Sequence, residues 1–393
     1  MNGIKKEIAM ELKAHILPFW MGLKDDVHGG FYGAVDHELV VNQKADKGGI
    51  ASARILWAYA AAYRVTGEQE YLDCADHAYA FLYDKVYDHE FQGIYWMLDY
   101  QGNPVDTRKH IYAQAFAVYA LSEYYRATHH QEALDLAKTI YQVIENKGYD
   151  EEREAYLEEF NRYWLQKPNK MLSENGVIAD ITTNTHLHIL EAYTNLYRVW
   201  KNASLEKRLI RLVHIFYDKI YNRDTKFLKV FFDKNWCEIV NLKSFGHDIE
   251  ASWLLDDAIK VLNIQKPKYT EMVIDIAYNI GDYAIEKDGS LINEEHNDKK
   301  DTTRIWWGQA EAMVGFLNAY ERTGDTYFLG LVKQLWQYTK DHMIDVRQGG
   351  EWHWSIDQHG QLSKKPLVEP WKTPYHNTRF CIELMERKWS HDT

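Results

Sequence analysis

The sequence predicts an all-α fold, an (α/α)6 barrel of six helical hairpins with short β-hairpin loops at one mouth. Three observations point there. The chain repeats itself at roughly 60 residues, the mark of a repeat architecture. Apolar residues recur at helical spacing in runs that are alternately apolar all round and apolar on one side. The first and last helical segments read as ordinary partners, whereas an open solenoid, the competing arrangement, would carry polar caps at its ends.

The repeat is visible in the letters. Ile55–Tyr63 (ILWAYAAAY) is followed by Thr66-Gly67 and Tyr71-Leu72-Asp73-Cys74-Ala75. Ala115–Tyr125 (AFAVYALSEYY) is followed by Thr128 and Ala133-Leu134-Asp135-Leu136-Ala137. The pattern returns at Ile189–Tyr197 with Leu205–Val213, and at Ala312–Tyr320 with Thr323-Gly324-Asp325 and the run from Tyr327. Each copy reads as a buried helix, a tight turn and an amphipathic helix. The expected helices are 3–20, 49–66, 70–86, 109–128, 131–146, 182–201, 205–221, 246–262, 268–286, 303–323, 326–343 and 375–388. Between them lie β-like pieces at Gly30–Gly33, Gly93–Trp96, Phe227–Phe232 and Gly350–Trp354, followed by turn formers such as Asp99–Asn103 and Asp357–Gly360. No Pro/Gly/Ser-rich linker divides the chain, so residues 1–393 are expected to form one catalytic domain.

Composition narrows the function. The formal charge of −12 without a basic cluster argues against nucleic acid. Fourteen Trp, 28 Tyr and 14 Phe beside many acids suit a neutral polyhydroxylated ligand, whose C–H faces pack on indoles while carboxylates accept its hydroxyls. Cys74, Cys237 and Cys381 are odd in number and far apart, which reads as free thiols in a reducing compartment. The amino terminus lacks a signal-peptide apolar region and no run is long enough for a membrane span, so a soluble cytoplasmic protein is expected, a monomer or weak homo-oligomer.

Polar residues concentrate at the openings of the inner helices, where burial without function would cost free energy. They are Arg54, Tyr112, Asn184 and His188 (four apart, hence on one face), His247, Glu250 and Trp253, Trp306, Trp307 and Glu311, and finally Trp371 and His376. Each has a plainer reading. Arg54 pairs with Glu311 or Glu250, Trp57 and Trp306 are core, His186 is structural or exposed, and Asp248 caps a helix. A metal is not expected, because the His186–His188 spacing points the two rings apart on a helix. No GxGxxG or GxxxxGK[ST] calls for a nucleotide cofactor, and no GxSxG elbow for a serine triad.

Four motifs taken together, GHDIEASWLL, RIWWGQAEA, NTHLHILEAYT and PWKTPYHN, resemble the N-acylglucosamine 2-epimerase superfamily, from HGGFYG to PYHNTRFC. Within it, they are similar to the branch that interconverts glucose and mannose at the reducing end of β-1,4-linked disaccharides such as cellobiose, lactose and mannobiose. The resemblance implies an (α/α)6 barrel without a cofactor and active-site roles for Arg54, His188, His247, Glu250, Trp307, Glu311, Trp371 and His376. Mannose isomerase or monosaccharide N-acylglucosamine 2-epimerase activity is the alternative. Glu369-Pro370 and Thr373 depart from the Gly-Pro and Cys expected in the last motif, which bears on preference rather than activity.

The chemistry fits these residues. Epimerising C2 of an aldose takes ring opening, loss of the C2 proton and its return on the opposite face. His247 and His376 suit the two acid–base roles, with Glu250 orienting His247. Arg54, aided by His188, suits the enediolate oxygen, with Glu311 holding Arg54 or a sugar hydroxyl. Trp307 and Trp371 would stack on the two rings. A glycoside hydrolase using Glu250 and Glu311, and a non-enzymatic repeat scaffold, are the rival readings.

Overall fold

The computed structural model describes residues 2–169 and 177–389. Helix α1 (Asn2–Glu11) passes through a π turn at Leu12–Ile16 into α2 (Leu17–Met21). There follow α3 (Gly49–Thr66), α4 (Gln69–Phe81), α5 (Ile111–Thr128), α6 (Gln131–Val143), α7 (Thr183–Val199) and α8 (Ala203–Ile215). The chain ends with α9 (Phe245–Val261), α10 (Pro267–Tyr283), α11 (Trp306–Thr323), α12 (Thr326–Tyr338) and α13 (Tyr375–Glu386).

The odd-numbered helices from α3 to α13 form an inner ring. Each packs against the next, and α13 returns to α3. Helices α4, α6, α8, α10 and α12 back their inner partners, and α1 backs α13. The ring therefore closes as the sequence predicts, by pairing the first helix with the last. Polar contacts stitch the closure: Lys5 donates to the carbonyls of Met385 (3.3 Å) and Arg387 (2.7 Å), and the Trp352 indole donates to Glu11 (2.7 Å). Inner helices are buried on all sides, as in the unbroken run Ile111–Tyr124, because each is flanked by two inner neighbours and one outer helix.

The apolar period gave no warning of how the outer helices end. Helices α4, α6, α8 and α12 each finish in a π turn, at Leu82–Val86, Ile144–Gly148, Phe216–Ile220 and Thr339–Met343. The next residue turns extended and pairs with a residue of the following loop: Tyr87 with Ile94, Tyr149 with Tyr156, Tyr221 with Leu228, Ile344 with Trp352. Three of the four β-like pieces read from the sequence thus contain a single-residue bridge at this place, and Phe31 bridges Lys24 in the fourth. Regular two- and three-residue strands follow just downstream. The hairpins beyond them turn on one device, an Asp or Asn whose Oδ1 accepts the N–H groups two and four residues on. Asp36, Asp99, Asn161, Asp233 and Asp357 all do this.

The fourth residue of four inner helices holds these loops in place. The Gln114 amide pairs with the N–H (2.6 Å) and C=O (3.0 Å) of Ile94, and the Gln309 amide with those of Leu291 (2.9 and 2.8 Å). His186 occupies the same place in α7. Its Nε2 accepts from Tyr156 N–H (3.0 Å) and its Nδ1 donates to the Thr182 carbonyl (2.8 Å), which makes it structural and, of the two expectations, not exposed. Asp248 in α9 accepts from Leu228 N–H (3.2 Å), so it is a loop anchor inside the helix and not the predicted cap. Upstream of the helices, buried cations fix the entry: Lys47 on Asp25 (2.6 Å) before α3, and Lys109 on Asp88 (3.1 Å) before α5.

Burial pushes His186 down to about 4. The unfolded imidazole protonates near 6.5, so the stability of the neutral buried ring is present above that pH and drains away as pH falls toward 4. His186→Gln, which copies Gln114 and Gln309, should keep the fold and flatten the acid decline of Tm between about pH 6.5 and 4. An unchanged slope would remove His186 from this account.

Candidate active site

Residues two and six of the inner helices lie four apart and so share the face turned to the barrel axis. Second residues are Tyr112, Asn184, Trp307 and His376; sixth residues are Arg54, His188, Glu250 and Glu311. His247, third in α9, joins them. All of these except Glu311 line a cavity of about 500 Å³ at the loop-bearing mouth, together with Trp306 and Trp371. That volume lies in the range of small-molecule sites. Trp306, expected in the core, therefore has one edge on the cavity. Three buried polar atoms on its walls, Arg54 Nε, Asn184 Oδ1 and Trp306 Nε1, have no partner among the described residues, an arrangement suited to a hydroxyl-rich ligand.

Two histidines stand against one indole: ring centroids of His247 and His376 lie 4.7 and 5.6 Å from that of Trp307. The indole can lie there because residue 246 is glycine, where a Cβ would come within 2.6 Å of the Trp307 ring. Each imidazole is fixed at Nδ1. His376 Nδ1 donates to Glu311 (2.7 Å), whereas His247 Nδ1 meets the Ser244 hydroxyl (2.7 Å), which can donate or accept. Nε2 is then the nitrogen of each ring left for chemistry. Burial, followed by the charges of His188 and His376, pushes His247 down to about 3. Burial also brings His376 down to about 4, although Glu311 pulls the other way. Both rings are held neutral, as a base must be at the start. His188 is oriented the same way, its Nδ1 donating to Glu191 (2.9 Å).

Behind this wall sits a residue that the sequence reading missed. Arg379, fully buried, donates to Glu191, Glu250 and Glu311 and to the Tyr375 hydroxyl. Its guanidinium also lies 4.8 Å from the Trp253 ring and 4.3 Å from that of Tyr375. The signal was available, since Arg379 falls one turn after His376 and therefore near its face of the same helix. Burial would raise Glu311, but Arg379 and the His376 N–H outweigh it and hold Glu311 low. Glu250 goes the other way, pushed well above the carboxylate range by burial and by the charge on Glu311. One guanidinium cannot neutralise three buried carboxylates, and the one that faces the cavity keeps its proton most readily.

Several expected partnerships are corrected by this geometry. Glu250 does not orient His247; it is bound to Arg379, and Ser244 does that work. Glu311 does not hold Arg54 and does not reach the cavity; it acts through His376. Arg54 pairs with neither Glu311 nor Glu250 and donates to the Tyr112 hydroxyl (2.8 Å) and the Trp371 carbonyl (3.2 Å), above the Phe116 ring at 4.3 Å. Trp253, a candidate for substrate binding at a helix opening, lies behind the wall, donates to Glu311 (3.1 Å) and does not line the cavity. Trp371 does border the cavity. Its loop is fixed by buried Lys372, paired to Glu351, which also accepts from Asn377 on α13 (2.6 Å). The hydrolase reading fails geometrically because Glu250 and Glu311 share one guanidinium and do not flank the cavity. Glu250, Glu311 and His376 approach one another as metal ligands would, but Arg379 already lies between the two carboxylates as the cation.

A helical barrel whose mouth holds neutral imidazoles, an arginine and indoles has the equipment of a proton-transferring carbohydrate isomerase. The sequence profile of the N-acylglucosamine 2-epimerase (GlcNAc 2-epimerase) family matches residues 30–379. The chain is similar to cellobiose 2-epimerase of Ruminococcus albus, 47% identical over 384 residues, 97% of this chain and 98% of the relative. It is 44% identical to that of Dictyoglomus turgidum over 98% of both chains. The solved cellobiose 2-epimerase of Bacillus thermoamylovorans B4167 superposes with a TM-score of 0.97 at 58% identity, covering 99% of this chain and 100% of that one. This protein belongs to the N-acylglucosamine 2-epimerase family. A D-mannose isomerase of Marinomonas mediterranea is more distant, 24% identical over 95% of this chain and 96% of its own.

Arg379→Met should leave the buried carboxylates of Glu191 and Glu311 without their cation and Glu250 without its donor. The expected loss is about 3–5 kcal/mol of stability, read from the urea midpoint. A midpoint shift below about 1 kcal/mol would mean that the network contributes no more than a surface pair.

Proposed function

We propose that this enzyme interconverts D-glucose and D-mannose at C2 of the reducing-end residue of β-1,4-linked disaccharides, cellobiose among them, in the cytoplasm and as a single barrel unit. The observation that carries the reading is the pair of imidazoles, each pinned at Nδ1 and both against Trp307, in one cavity.

The reducing sugar opens to its aldehyde, and a neutral Nε2 removes the proton on C2. The electron pair moves into an enediolate whose O1 carries the charge. Arg54 supplies the fixed positive partner there, held by Tyr112 and the Trp371 carbonyl, with His188 beside it. The second imidazole returns a proton to the other face of C2. Gluco and manno substrates present the C2 proton on opposite faces, so the two histidines exchange roles with direction. The Ser244 hydroxyl allows His247 to change tautomer, and Glu311 stabilises the imidazolium that forms at His376. With Glu250 protonated, Arg379, Glu191 and Glu311 together carry one negative charge, which offsets that imidazolium. The carbon skeleton is neither oxidised nor reduced, so proton transfer alone balances the reaction.

In D2O, cellobiose should give a product with deuterium at C2, and a product free of solvent isotope would eliminate enolisation. His247→Ala and His376→Ala should each lower kcat by at least about 10²-fold with unchanged helix content. Each variant should still exchange the C2 proton of one epimer only; exchange of both by a single variant would point to one base. Comparing mannose and N-acetylglucosamine with cellobiose separates the disaccharide reading from the monosaccharide one.

A further inference from the structure

Gln114 and Gln309 meet both the N–H and the C=O of one loop residue with a side-chain amide. Asp248 holds the equivalent place in α9, yet it makes only half of that pairing. Its Oδ2 accepts from Leu228 N–H (3.2 Å), while its Oδ1 is buried without a partner among the described residues. Among the described residues no donor reaches the Leu228 carbonyl either. Equivalence with the two glutamines assigns that carbonyl to the Oδ1 side of the carboxyl, so each acceptor lacks a donor among the described residues.

No cation bonds the Asp248 carboxyl. Lys243, on the strand leading into α9, is the charged group that acts on it, and its ammonium is already committed to Glu295 (2.5 Å), which also accepts from Tyr283 of α10. On the loop side, Tyr221 beside Leu228 turns its hydroxyl to Asp275 (3.3 Å). An ionised Asp248 would thus set an unpaired charge against a carbonyl in apolar surroundings.

We propose that Asp248 carries its proton at neutral pH and donates it from Oδ1 to the Leu228 carbonyl, and that this bond makes Asp248 a positioning residue for His247. A carboxylic acid thereby does the work of an amide. Burial drives the group well above the carboxylate range, in accord with that state. The bond ties three parts of the cavity together. Asp248 adjoins His247 in the first turns of α9. Leu228 leads into Val230 and Phe231, which line the cavity. Lys229 and Val230 in turn accept from the Thr183 side chain (2.5 Å) and N–H (3.0 Å), at the start of the helix that carries Asn184 and His188. The claim about His247 rests on the epimerase reading above; the claim about the proton does not.

Asp248→Asn supplies a neutral donor and acceptor in the same shape. Unfolded Asp ionises near pH 3.9, while the folded group keeps its proton, so the wild-type protein loses stability as pH rises above about 4 and the Asn variant does not. Substrate-free Tm should therefore be equal for the two near pH 4, with the Asn variant increasingly ahead toward pH 8. An infrared carbonyl band of a protonated carboxyl should be present in the wild type at pH 7 and absent from the variant. A Tm gap that favours the wild type at neutral pH, or no such band, overturns the protonated state. Asp248→Ala should lower kcat for cellobiose with little change in KM, and Asp248→Asn should restore it. If the Ala variant loses Tm but keeps kcat, the positioning role is overturned.

Discussion

The charge on Arg379 is shared by carboxylates from three different helices, Glu191 of α7, Glu250 of α9 and Glu311 of α11, while Arg379 itself stands on α13. One buried cation therefore ties four of the six inner helices together beside His188 and His376. Such an ion is stable in the interior only when every partner is in place, because each unpaired carboxylate would be a buried charge. The same condition orders the chemistry. Glu311 and Glu191 are the groups that orient His376 and His188, so ring closure and imidazole orientation depend on the same interaction.

The repeat divides its labour by position along each inner helix. Second and sixth residues supply most of the polar groups turned to the axis; in four of the helices the fourth residue holds a loop. Gln114, His186, Asp248 and Gln309 differ in chemical type but meet the same demand, an extended main-chain residue whose N–H has no strand partner on that side. This scaffold lets the second and sixth positions vary. Where one helix places Arg54 the next places Phe116, whose ring lies under the guanidinium.

Most of the fold was legible. Apolar periodicity located the helices, because an inner helix packed on all sides and an outer helix packed on one side leave different patterns. The π turns were not legible, since one extra residue in a turn does not disturb the pattern on which the reading rests. Of the site, Arg54, Tyr112, Asn184, His188, His247, Glu250, Trp307, Trp371 and His376 do come to one cavity. Their polarity at helix openings marked them.

Who partners whom was a different matter. Assigning Glu250 to His247 followed from their spacing on one helix, and spacing within a helix says nothing of an arginine arriving from α13. Likewise Trp253 has the composition of a sugar platform, and only the packing shows its indole turned to Glu311 behind the wall. The sequence by itself determined the helices, the faces they bury and the residue types offered to the axis, because these follow from local periodicity and burial. The tertiary structure alone decided which carboxylate holds which imidazole and which one keeps its proton. Those outcomes depend on charges brought together from segments more than a hundred residues apart.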